Sequence, residues 1–175
     1  MLGRGYVGAS VRDIVEAAGV PQGSFSNHFS SKEAFALEVL ERYFADAGRV
    51  IDETLRNDAL PPLKRFRAYI DATIAAIRRH GPRNGCLLGS FTAECGHSDI
   101  LRKRLIEIHA ERQEAVAYCL KAAVKAGELP KTFKVTEVAK FVISGLQGAV
   151  LLAKAERDLD AAENFKKVLF SMVLI

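Results

Sequence analysis

The residues best suited to chemistry fall in two short runs. The first is Gln22-Gly23-Ser24-Phe25-Ser26-Asn27-His28. Its polar side chains are compact and can donate or accept hydrogen bonds. On a short helix, Gln22, Ser24, Ser26, Asn27 and His28 share an outer face, while Phe25 and Phe29, at i and i+4, turn inward. Such a face can enter a major groove about 12 Å wide and reach base edges. His28 reads equally as a partly buried packing residue. The second run begins at Cys86 and stays mostly apolar to Cys95. A cysteine at a helix N-terminus has its thiolate stabilised by the helix dipole, and a thiolate attacks quinones, aldehydes or hypochlorous acid. The other reading of Cys86 is a small buried hydrophobe. Cys95 and Cys119 read as core. The spacing of Cys86, Cys95, His97 and His109 matches no recognised ligand pattern, so no metal is expected. There is no nucleophile elbow, P-loop or dinucleotide fingerprint, so neither a cofactor nor an enzymatic activity is expected.

The elements that must hold these residues are helical. The chain has 175 residues, 49% hydrophobic and 26% charged, which excludes disordered, collagen-like and mucin-like classes. No sustained period-2 alternation occurs, and the 3.6 period runs almost throughout. Ser10, with Asp13 at the capping-box position, starts a helix over Val11–Ala18, and Gly19 ends it. Val11, Ile14 and Val15 supply its inner face, and Val20 is expected to plug the corner before Pro21 opens a second short helix to Phe29. A long helix follows from Lys32 to about Leu55, with a stripe of Ala36, Leu40, Tyr43, Ala47, Val50 and Thr54. Leu63–Arg79 is the next, with Phe66, Ile70, Ile74 and Ile77 aligned. Residues 80–85 read as a loop by composition. Beyond Cys86–Cys95, helices are predicted from Ser98 or Asp99 to Ala126, from Thr136 to Ala155, and from Asp160 to the end.

Charge and cysteine usage bound the setting. The formal net charge is +4, which permits an anionic partner without demanding one. Three cysteines without CxxC spacing fit a reducing, cytoplasmic setting. The N-terminus has no basic segment followed by an apolar one, so no signal peptide is expected. The apolar run Phe141–Ala153 is expected to be too short and too polar for a bilayer, which needs ~20 apolar residues, so no membrane partner is expected.

Two short helices joined by a tight glycine-containing turn form a helix-turn-helix pattern. Three runs extend it: Gly5-Tyr6-Val7-Gly8-Ala9-Ser10-Val11-Arg12-Asp13-Ile14-Val15, Ala18-Gly19-Val20-Pro21-Gln22-Gly23-Ser24-Phe25, and His28-Phe29-Ser30-Ser31-Lys32-Glu33-Ala34. Together they resemble the DNA-binding signature of the TetR family of transcriptional regulators. The resemblance implies an all-α, dimeric protein with an N-terminal helix-turn-helix head and a larger helical body for ligand binding and dimerisation. The head is expected over residues 1–45 and the body over 46–175. Met1-Leu2-Gly3-Arg4 matches only the end of the family's first helix, so that helix is expected to be truncated, and residues 1–33 carry no net charge. By position, Ser10, Arg12 and Lys32 are implied to touch phosphate. Gln22, Ser24 and Asn27 are implied to read bases, with Gly23 between them. Ser26, where the family usually has Tyr, and His28 are implied to hold the backbone. Arg12 also reads as a surface ion pair with Glu16.

Gly85-Cys86-Leu87-Leu88-Gly89-Ser90-Phe91-Thr92-Ala93-Glu94 and Gly148-Ala149-Val150-Leu151-Leu152-Ala153-Lys154 are similar to segments of the electrophile-responsive N-ethylmaleimide repressor subgroup. This implies a ligand or redox sensor built on Cys86, Phe91 and Lys154. Small residues on the helix around Gly145, Gly148 and Ala149, with Phe165 and Leu169 on the last helix, are expected to form a homodimer interface. The function these features imply is a repressor released from operator DNA by a small-molecule or electrophile inducer. The other reading is a helical small-molecule-binding or interaction protein that no longer binds DNA.

Overall fold

Reciprocal capping sets the first element. In this computed structural model, which describes residue 1 and residues 3–175, the Ser10 hydroxyl accepts from the Asp13 N–H while the Asp13 carboxylate accepts from the Ser10 N–H. This box opens α1 (Val11–Ala18), and Gly19, at φ 67°, closes it in the left-handed region that disfavours a Cβ. Leu2 lies outside the described residues. The Pro21 and Gln22 carbonyls accept from the Ser24 and Phe25 amides, so α2 is shorter than the sequence predicts and spans Gly23–His28. The Ser31 hydroxyl caps α3 (Lys32–Glu53), and Pro62 takes the first position of α4 (Pro62–His80). The predicted loop at 80–85 is largely ordered, because α4 runs to residue 80 and Pro82–Asn84 forms a 3-10 turn.

The body follows the sequence pattern closely. Cys86 is the N-cap residue of α5 (Leu87–Ala93), Ser98 caps α6 (Asp99–Lys125), and α7 spans Val135–Glu156. The chain ends with α8 (Asp160–Val168), which runs into a π-turn over Leu169–Val173. There is no strand among the described residues.

Two apolar cores share the long helices. One joins Ile51 and Leu55 to Phe66 and Ile70 of α4, the C-terminal half of α6, α7 and α8. The other joins Ala36 and Leu40 of α3 to Leu87, Leu88 and Phe91 of α5 and Leu101, Leu105 and Ile108 of α6. Because α3 changes neighbours midway, its buried face shifts from the predicted stripe to Ala36, Leu40 and Ile51. Val20 does not plug the corner. It is 43% exposed, and Ala9 and Val15 supply the buried contacts instead. Helix α7 is also longer than the Phe141–Ala153 run suggested. By length and mean hydropathy, 1.4 over its most apolar window, it is apolar enough to cross a membrane. One side buries Ala139, Val142, Ile143, Leu146 and Val150 inside the protein, as a core helix does.

Candidate functional site

The head offers the face its sequence promised. Gln22, Gly23, Ser26, Asn27 and His28 are exposed and Ser24 is half-buried. Phe25, Phe29 and Phe35 make the inner side, with ring centroids 5.4, 5.8 and 4.9 Å apart, and this aromatic knot fixes α2 against α3. His28 is exposed rather than packed. Ser26 Oγ donates to the Gly23 carbonyl at 3.0 Å and keeps its lone pairs available. Arg12 is exposed and pairs with Glu16 at 2.8 Å, a contact that contributes little to stability and is easily exchanged for a phosphate. Lys32 is half-buried, with Nζ 3.4 Å from the Val7 carbonyl and 4.7 Å above the Tyr6 ring. Ser10 is exposed, and its hydroxyl donates to the Asp13 carboxylate and accepts from the Asp13 amide. Its hydrogen bonds, with help from Arg4, hold the Asp13 carboxyl down at about 2.

Cys86 borders a partly open cavity of about 70 Å³ in the body. Its sulfur accepts from the Tyr43 hydroxyl at 3.4 Å. Burial, followed by the neighbouring Cys86, pushes the Tyr43 phenol well above its ordinary range. The cation that faces Cys86 is Arg112, a buried residue that the sequence reading did not single out. Lys154 does not line the cavity. Its stem packs on Gly85, where a Cβ would lie 2.8 Å from Lys154 Cδ. The sequence reading therefore put Lys154 beside the right segment, although outside the cavity lining. Gln147, two turns back along the same face of α7, does reach the cavity. A Cβ at Gly89 would lie 2.5 Å from Gln147 Nε2, so only glycine leaves room for that amide.

Phe91 also needs correction. It is 1% exposed and packs edge-on against Tyr6 at 6.2 Å, so it joins head to body and is not among the residues that line the Cys86 cavity. Its neighbour in role is Glu94, which sequence reasoning missed. The Glu94 carboxylate accepts from the Tyr6 and Val7 amides at 2.5 and 2.8 Å. Gly5, at φ 72°, admits this clasp, since a Cβ there would collide with the Glu94 carboxylate. Two more links tie head to body. Ser98 donates to Glu33, and Arg104 forms a bidentate pair with Glu41 at 2.5 and 3.0 Å.

The interface residues divide. Leu169 is 1% exposed and Ala149 is buried, so both are used inside the protomer. Gly145 accommodates the chain's own Phe165, whose Cε2 would lie 2.6 Å from a Cβ there. Gly148 faces open space. The exposed apolar side chains nearby are Phe141, Leu151, Leu152, Val168 and Met172, the last 68% exposed. Small residues near a helix crossing signal close approach, but they do not say whether the approaching chain is the same one.

The comparisons agree with this arrangement. The family described as bacterial regulatory proteins, tetR family, matches residues 1–39, and the tetracyclin repressor-like C-terminal domain matches residues 62–169. The chain belongs to the tetR family and is a DNA-binding transcriptional regulator with a helical ligand-binding body. It is 37% identical over 174 residues to the HTH-type transcriptional repressor DhaR of Mycobacterium sp. (strain GP1), covering 99% of this chain and 86% of the relative. A regulatory protein TetR from Rhodobacter sphaeroides superposes with a TM-score of 0.90 at 32% identity, covering 95% of this chain and 89% of that one. The reduced form of E. coli NemR superposes with a TM-score of 0.84 at 28% identity, covering 95% and 86%.

Proposed function

We propose that this regulator is a repressor that leaves its operator when a small molecule or electrophile engages the Cys86 cavity. The supporting observation is the position of α5. Cys86 caps its N-terminus, Leu87, Leu88 and Phe91 share a core with Ala36 and Leu40 of the head's α3, and Glu94 at its end grips Tyr6 and Val7. A change at Cys86 therefore moves the element on which the head rests. The population then shifts toward a body shape in which two recognition helices no longer match successive major grooves.

In this reading Gln22, Ser24 and Asn27 read bases, Ser26 and His28 hold the backbone, and Ser10, Arg12 and Lys32 meet phosphates. Gly23 keeps the approach clear. The functional division follows 1–45 and 46–175. The homodimer forms through the exposed side of α7 and α8, around Phe141, Gly148, Leu152, Val168 and Met172. The repressor reading draws support from DhaR and NemR, both described as transcriptional repressors. The protein acts in the cytoplasm and carries no catalytic activity of its own.

A gel shift against DNA from upstream of its own gene tests this reading. Binding should weaken steeply with salt, and an electrophile such as N-ethylmaleimide should release wild-type protein but not Cys86→Ser. Release that persists in Cys86→Ser would reduce Cys86 to packing. The zero net charge of residues 1–33 favours the second reading, a helical binding protein without an operator, and absence of salt-sensitive binding would establish it.

A further inference from the structure

The body encloses a positive charge that the protein leaves unpaired. Arg112 is 8% exposed, and a guanidinium stays protonated in proteins. Among the described residues, no ion pair includes it. The groups acting on it are Tyr69, which shares a hydrogen bond with it, then Cys86 and Tyr43, none of them a carboxylate. Its Nη1 has no hydrogen-bond partner, and neither has Gln147 Nε2. A buried charge is strongly unfavourable unless paired, and each unmade hydrogen bond adds to that penalty. These two donors border one cavity.

That cavity has the rest of a binding site. Its volume, about 70 Å³, exceeds the ~10–15 Å³ that one water needs, so it admits a group of several heavy atoms. Ile77, Leu146 and Val150 give it apolar walls. The Thr73 hydroxyl on its border is already committed to the Tyr69 carbonyl at 2.9 Å, so the free donors are those of Arg112 and Gln147.

We infer that this cavity binds a small organic carboxylate, whose oxygens accept from Arg112 Nη1 and Gln147 Nε2 while its short carbon chain lies against Ile77, Leu146 and Val150. A guanidinium fork suits a carboxylate, and a buried charge with no carboxylate of its own becomes paired in the complex. The inference names the ligand class for the inducer reading above and rests on that reading only for its effect on DNA. Binding itself is a property of the free protein.

The test is thermal unfolding and calorimetry of the full chain, without DNA, in the presence of propionate, propionamide or sodium chloride. Propionate should raise Tm progressively with concentration, while its neutral isostere propionamide and chloride at equal ionic strength should not. Arg112→Met should weaken propionate binding about ten- to hundredfold. Without ligand its Tm should be no lower than wild type, because an unpaired buried charge has gone. Gln147→Leu, which keeps the charge, should weaken propionate less and remains informative if Arg112→Met fails to fold. The inference is overturned by any of four results. These are no propionate-dependent shift in wild type, equal shifts from propionate and propionamide, unchanged affinity in Gln147→Leu together with Arg112→Met, or a crystal grown in propionate with only water in the cavity. Propionate binding by a protein that ignores operator DNA would sink the repressor reading and leave this site standing.

Discussion

The recognition face on α2 and the cavity behind Cys86 are built on opposite terms. On α2 the polar groups are exposed, and water satisfies them until a partner arrives. In the body, Arg112 Nη1 and Gln147 Nε2 are buried on the border of one cavity with no partner from the protein itself. A surface that must dissociate readily can leave its polar atoms wet. A pocket that must sense something gains discrimination by keeping donors unmet, since the wrong ligand leaves them that way. The two regions are joined by the core around Leu40 and by the Glu94 clasp, so each can be perturbed separately or together.

The largest effect should come from the shared core. Leu40 is fully buried between Leu87, Leu88 and Phe91. Leu40→Ala should lower unfolding free energy by about 2–5 kcal/mol in denaturant melts and should impair operator binding as well. Substitution on the recognition face should separate the two properties. Asn27→Ala should leave stability within about 0.5 kcal/mol of wild type, because nothing inside the protein depends on that side chain. It should reduce operator affinity by about 1–3 kcal/mol in fluorescence anisotropy. Equal losses in both measurements would mean that Asn27 is structural.

The clasp should give an intermediate result. Gly5→Ala forces a side chain at φ 72° into the Glu94 carboxylate and should destabilise the protein by about 1–3 kcal/mol. If the clasp couples the regions, Gly5→Ala should also blunt release by the inducer at unchanged occupancy of the body site. Arg12→Ala should alter stability little, since the pair with Glu16 is exposed. Anisotropy measured across salt concentrations should show a log–log slope shallower by about one.

The smallest effect is a pH dependence confined to the body. Burial, reinforced by the charge of Arg112, lowers the His109 pKa below its ordinary 6.5. As pH falls through 6.5 the unfolded chain binds the proton first, so stability falls until the folded form titrates too. Above 6.5 both forms are neutral and the term vanishes. Denaturant melts at pH 7.5 and 5.5 should show this loss in wild type and less of it in His109→Gln.

The head was legible in the sequence because its determinants are local. The Ser10–Asp13 box, the Gly19 cap and the i, i+4 pair Phe25 and Phe29 each act within one or two turns, and a short helix has only two faces to assign. The all-α class followed for the same reason, since periodicity is a property of neighbouring residues. Sequence likeness also brought Cys86 and Lys154 to attention, and both segments do meet. What it could not supply was which side chain of α7 turns toward Cys86, or that α6 would send Arg112 there. Four helices, α3, α4, α6 and α7, converge on that spot with the N-cap of α5, and their relative rotation depends on the whole core. The same limit explains Leu169 and Ala149, which read as interface and proved to be interior. Spacing along a helix fixes which residues share a face, but the neighbour that covers the face is decided only when the rest of the chain has folded around it.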